Sequence, residues 1–148
     1  MRGEELLRHL QKVVPKKCDI HFYSVDSQFC GPAKLPALYL LNTDYNEGEG
    51  EHFLSFYVNE KKSCIYFDSF GFSPLECLKK FWKKHGIGPV KFSSRVVQNP
   101  LSPYCGYHQV AFAALITNGG TLNSFLKILS DSTEVNDRAV VQFVKNLV

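Results

Sequence analysis

His52 to Asp68 reads HFLSFYVNEKKSCIYFD, and this segment decides the fold. Two runs rich in Phe, Tyr, Val and Ile, His52 to Val58 and Cys64 to Asp68, flank the polar stretch Asn59 to Ser63. That pattern predicts two antiparallel strands joined by a tight turn. A three-residue loop at Asn59 to Lys61 pairs Val58 with Lys62 and sets His52 opposite Asp68, with Cβ atoms about 4.5–5.5 Å apart. The hairpin is therefore expected to hold a carboxylate beside an imidazole.

Working outward, Ala37 to Asn42 reads as a compact apolar strand, followed by the acidic stretch Asn46 to Gly50, expected to be a loop. Leu6, Leu7, Leu10, Val13 and Val14 fall at helical spacing within Glu4 to Val14, and Pro15 stops the pattern. Ile20 to Val25 is a strand candidate, and Gly31, Pro32 and Pro36 mark an irregular loop after it. Pro74 to Lys84 is predicted helical, with Pro at its first turn, Leu75, Leu78, Phe81 and Trp82 inward, and Lys79, Lys80, Lys83 and Lys84 outward. Lys91 to Gln98 is a strand candidate; helices are expected over Cys105 to Thr117, Leu122 to Leu129 and Glu134 to Leu147. The expectation is one α+β domain over residues 1–148, a small mixed sheet flanked by helices.

Composition narrows the classes. The chain has 148 residues, 45% of them hydrophobic and 14% aromatic, which fits one packed core rather than disorder. A net charge of +3 permits contact with polyanions without requiring it. The longest apolar runs, Leu38 to Leu41 and Val110 to Ile116, are far shorter than the roughly 18–20 residues that cross a bilayer, so no membrane partner is expected. Glu4, Glu5, Arg8 and His9 do not follow the order of a secretory signal. Five widely spaced cysteines, with no Cys-x-x-Cys, suggest neither a disulfide framework nor a metal site, and point to reduced thiols in an intracellular setting.

Cys105 carries the sharpest chemical signal. Ser102 is suited to cap the helix and Pro103 to open it, which puts Cys105 in the first turn, where the helix dipole favours a thiolate. Gly106 leaves room for a substrate backbone. His52 beside Asp68 supplies a base whose tautomer is fixed by a carboxylate. Gln98, seven residues before the thiol, is a candidate donor to an oxyanion.

These residues stand in the order His, acid, Gln, Cys-Gly. Gly50-Glu51-His52-Phe53-Leu54-Ser55-Phe56, Phe67-Asp68-Ser69-Phe70-Gly71-Phe72-Ser73 and Gln98-Asn99-Pro100-Leu101-Ser102-Pro103-Tyr104-Cys105-Gly106 resemble the three site blocks of the adenovirus protease (adenain) family of cysteine proteases. Similarity is readable from about Cys30 to Ile116. The resemblance implies His52 as general base, Asp68 as its orienting acid, Cys105 as nucleophile and Gln98 as oxyanion partner. It implies cleavage of viral capsid or core precursors, a location in the virion and host nucleus, no cofactor for the chemistry, and activation by a peptide and by DNA. Lys79, Lys80, Lys83 and Lys84 are the DNA-binding candidates. Phe53 stands where the family usually has Trp, and no cysteine between His85 and Gln98 is present to tether an activating peptide.

Blander readings stand beside these. A lone Cys opening an apolar helix is commonly a core residue, Asp68 also suits a turn before Ser69 and Gly71, and a lysine face commonly does no more than meet solvent. Cys30-Gly31 is a rival Cys-Gly pair, read as a loop. His108, three residues beyond Cys105, shares a helix face with it and forms a conceivable local Cys-His pair. His9, His21 and His85 read as packing or surface residues. The alternatives for the whole chain are a protease of ubiquitin-like modifiers and a catalytically silent binding module on the same fold.

Overall fold

The computed structural model of the protein describes residues 1–43 and 52–147. The expected acidic loop Asn46 to Gly50 and the first two residues of the histidine block, Gly50 and Glu51, lie outside them. Among the described residues the chain order is α1 (Gly3–Val13), β1 (Asp19–Ser24), β2 (Ala37–Asn42), β3 (Phe53–Val58), β4 (Cys64–Phe67), α2 (Glu76–Lys84), β5 (Val90–Lys91), α3 (Cys105–Ile116), α4 (Leu122–Lys127) and α5 (Thr133–Lys145). The strands form one sheet in the order β1-β2-β3-β4-β5. Its central pairs, β2 with β3 and β3 with β4, are antiparallel; its outer pairs, β1 with β2 and β4 with β5, are parallel. The α+β expectation with a small mixed sheet holds.

Strand side chains alternate between faces, so each strand serves two cores. Tyr39, Leu41, Phe56 and Tyr66 face α2, where Leu78, Phe81 and Trp82 cover them. Leu38, Leu40 and Phe53 face the other way, against Leu6 and Leu10 of α1 and Val110 and Ala113 of α3. A third cluster joins Phe67 of β4 to Phe112, Ile116 and Phe125. Fully burying each such side chain stabilises by about 1.5–3 kcal/mol. Because β2 is buried on both faces, it reads as the near-continuous apolar run Ala37 to Leu41.

The hairpin forms, with its register moved by two. Val58 pairs with Cys64 and Ser55 with Phe67, instead of the predicted Val58 with Lys62. The turn explains the shift. Asn59 N–H donates to the Ser63 carbonyl, and the Asn59 side-chain oxygen accepts from the N–H groups of Lys61 and Ser63. Lys62 takes the left-handed conformation at φ 66 that closes a three-residue loop, now Glu60 to Lys62. An even slip leaves every side chain on its predicted face.

Three other expectations need correction. Only Val90–Lys91 of the stretch to Gln98 is strand; Val97 and Gln98 N–H groups both donate to the Ser69 carbonyl, so they leave the ladder for the acid-bearing loop. Leu75 caps α2 and is 36% exposed, so it is not part of the inward stripe. Helix α3 begins at Cys105 with Tyr104 at the cap position and no side-chain cap, so Ser102 and Pro103 precede the helix.

Candidate active site

His52 stands at the entry to β3, where the ladder with β2 has reached its last rung. Its carbonyl accepts from the Thr43 N–H at 2.9 Å and the Thr43 hydroxyl at 3.1 Å, which pins the backbone on one side. The ring Nε2 meets Asp68 Oδ1 at 2.9 Å. Asp68, buried just past the end of β4, also accepts from the Phe70 N–H at 2.9 Å with that same oxygen. Phe70 stacks on the other element of the pair, its ring centroid 4.5 Å from that of His52 with the planes at 21°.

Cys105 occupies the first position of α3 and packs in the apolar cluster with Phe53 and Leu6. Its thiol interacts with the His52 ring. Since Asp68 takes Nε2, Nδ1 is the nitrogen left for the thiol, and it is sheltered from solvent. Burial pushes His52 towards neutrality, but the hydrogen bonds and negative charges of Asp68 and Cys105 outweigh it and raise its pKa to about 9. The imidazolium is thus the favoured form at neutral pH. Sulfur, imidazole and carboxylate lie in a chain, the arrangement needed for nucleophilic attack followed by proton delivery.

Gln98 is fully buried between the loops that carry acid and thiol. Its carbonyl oxygen accepts from the Ser69 hydroxyl, one residue after Asp68. Its Nε2 donates to the Ser102 carbonyl at 3.0 Å and the Ser102 hydroxyl at 3.2 Å, three residues before Cys105. The space expected above Gly106 is filled: a Cβ built there would meet Met1 Sδ at 3.0 Å.

His108 is brought close in sequence only. Its Nε2 meets Asp137 Oδ1 of α5 at 2.8 Å, the ring is fully buried, and burial lowers its pKa despite the carboxylate. Sequence reasoning missed Asp137, although Asp137, Val140 and Val144 share an i, i+3, i+7 stripe on the buried face of α5. It also missed Gln109, a buried amide inside the apolar stretch of α3.

Cys30 is exposed in a loop held by its N–H to the Tyr23 hydroxyl and its carbonyl to that of Tyr39. Lys79, Lys80, Lys83 and Lys84 are exposed on α2, across the sheet from α3; Lys79 pairs with Glu76 at 3.2 Å, and Lys62 Nζ joins the same helix end through the His85 carbonyl. Among the described residues no group of His, Cys, Asp and Glu is arranged to hold a metal, and no helix is long and apolar enough to cross a membrane.

No family model matches the chain, and no curated protein does. Among solved structures it is similar to the ASFV pS273R protease, with a TM-score of 0.57 and 20% identity, over 77% of this chain and 44% of that one. The chain therefore spans less than half the length of that protein. The likeness is one of fold: the mixed sheet and its helices follow a protease architecture, and the narrower similarity to adenains rests on the three sequence blocks alone.

Proposed function

We propose that this chain is a cysteine endopeptidase that cleaves viral precursor proteins. The observation that carries the reading is the His52 ring held by Asp68 at 2.9 Å on one nitrogen while it interacts with the Cys105 thiol. Three stretches distant in sequence supply these groups, and the protease architecture of the similar structure supports the same reading. The Cys105 thiolate attacks the peptide carbonyl carbon and forms a C–S bond. The oxyanion is stabilised by first-turn N–H groups of α3, joined by the Gln98 amide when it exchanges a Ser102 contact. The His52 imidazolium gives its proton to the amine nitrogen as the C–N bond breaks. Neutral His52 then takes a proton from water, which attacks the acyl-enzyme; the C–S bond breaks and the thiolate–imidazolium pair is restored.

The lysine face of α2, extended by Lys62, is proposed as a docking face for DNA, and an activating peptide would associate without a disulfide near α2 and β5. The deciding experiment is cleavage of a peptide library, including Gly-rich and ubiquitin-like sequences, by the purified chain and by Cys105→Ala. Cleavage that vanishes in the variant supports the reading. Cleavage that persists in it, or none by the unsubstituted chain with and without DNA, ends it; preference for folded ubiquitin-like substrates would redirect it to modifier processing.

A further inference from the structure

Gln109 lies one helical turn beyond Cys105 on α3 and is almost wholly buried. Both ends of its amide are hydrogen-bonded. Oε1 accepts from the Ser55 hydroxyl of β3, and Nε2 donates to two carbonyls, Phe53 and Phe67, at 3.2 Å each. Phe53 follows His52 and Phe67 precedes Asp68.

The place of these contacts matters more than their number. The ladder between β3 and β4 stops at Ser55 with Phe67, so the strands separate just where the histidine and the acid begin. Phe67 still belongs to the last rung, but the fork leaves the Phe53 carbonyl needing a donor, and a buried carbonyl without one is costly. Thr43 N–H donates to the His52 carbonyl on the β2 side, so by strand alternation the next carbonyl, that of Phe53, faces β4. The Gln109 amide enters the fork and replaces the missing rung. One side chain thereby ties the helix that opens with Cys105 to the backbone beside His52 and to the backbone beside Asp68.

We propose that Gln109 is a positioning residue for the active site, a clamp that sets the distance of the Cys105 helix from the His52–Asp68 pair. The inference rests on the reading of those three residues as one site. No substrate contact is required of Gln109, and its effect reaches the chemistry through the groups it holds. The two carbonyls can only accept, so they fix the amide nitrogen toward themselves, and the Ser55 hydroxyl donates to the oxygen at the other end.

The test uses the full chain and Gln109→Met, which keeps bulk and removes both donors. The first readout is an imidazole NMR titration of His52, which needs no turnover. Loosened contact with Asp68 and Cys105 should lower its midpoint by about one unit or more, while Leu78→Ala, a destabilised control in the opposite core, leaves it in place. Where peptide cleavage is measurable, kcat should fall by roughly 10²-fold with little change in KM. A folded Gln109→Met protein with the His52 midpoint of the unsubstituted chain overturns the proposal. If Gln109→Met does not fold, Gln109→Asn, whose shorter side chain cannot reach both carbonyls, decides: a lowered midpoint supports the clamp and an unchanged one overturns it. A chain that cleaves no peptide yet shows the shift would lose the protease reading and keep the clamp.

Discussion

Phe70 covers one face of the His52 ring, with the two ring centroids 4.5 Å apart and the planes at 21°. The ladder between β3 and β4 ends at Ser55 with Phe67, and a turn that the Gly71 N–H closes on the Asp68 carbonyl carries Phe70 to the ring, while Asp68 meets its Nε2 at 2.9 Å. The carboxylate reaches the ring edge while the aromatic covers its flat side. The ring is thus fixed in tilt by Phe70 and in rotation by Asp68.

The pH dependence of turnover follows from His52. With its pKa raised to about 9, cleavage should hold through neutral pH and fall as the pH passes about 9, where the imidazolium is lost. Asp68→Asn removes the charge that helps raise it and leaves only a neutral, weaker acceptor, so the alkaline limb should move to lower pH and kcat should drop by about 10²-fold. A pH–rate profile of both proteins checks this.

Thiol reactivity should sort the five cysteines. Burial, helped by Asp19, raises Cys18 to about 11, and burial pushes Cys64 higher still, so both stay protonated and shielded. Limiting alkylation followed by peptide mapping should label Cys105 first, the exposed Cys30 and Cys77 next, and Cys18 and Cys64 last. His52→Ala should remove the lead of Cys105.

Gln98→Leu should lower kcat by about 10²–10³-fold if the amide assists the oxyanion, while alkylation of Cys105 continues. The same change leaves the buried Ser69 hydroxyl without its acceptor, at a cost of about 1–3 kcal/mol in denaturant unfolding. Ser102→Ala, which removes one of the two Ser102 contacts, should have the smaller effect on both.

Two histidines should shape stability against pH in opposite directions. His108 has its pKa lowered by burial, so the unfolded chain binds the proton more readily and stability declines as pH falls below about 6.5. His52 is raised, so its contribution is complete below about 6.5 and is lost as pH rises through about 9. His108→Leu paired with Asp137→Leu should flatten the acid side, whereas Asp137→Leu alone strands a buried ring and costs about 1–3 kcal/mol. Urea unfolding at several pH values measures all three.

DNA stimulation, if the α2 lysines serve as its docking face, should weaken steeply as salt rises. Replacing Lys80, Lys83 and Lys84 with Gln should reduce the stimulation without changing cleavage in the absence of DNA. Stimulation that ignores both salt and the substitutions would reject that face.

The hairpin was legible because aromatic and β-branched runs bounded by Asn59 and Ser63 admit few other structures. Its register was not, since closure depended on Lys62 adopting a conformation usually left to glycine. The error was harmless to the site because it was even. Order and spacing singled out His52, Asp68 and Cys105, which the fold brings into contact, but the start of α3 was misjudged: Ser102 looks like a cap and is instead held by Gln98. Residues 92–98 read as a strand from Val96 and Val97, yet Asn136 takes the Val97 carbonyl and Arg95 reaches carbonyls of Leu126 and Leu129. Such long-range contacts leave no local trace. Gln109 is the plainest case, a polar residue whose partners lie on two strands more than forty positions upstream.

The Met1 thioether lying over Gly106 has a practical corollary for anyone preparing the protein. Peroxide damage to that sulfur would put a polar sulfoxide on the threshold of the nucleophile, where incoming polypeptide has to pass. Kinetic work therefore calls for protein shielded from oxidants, with the oxidation state of Met1 checked by mass spectrometry.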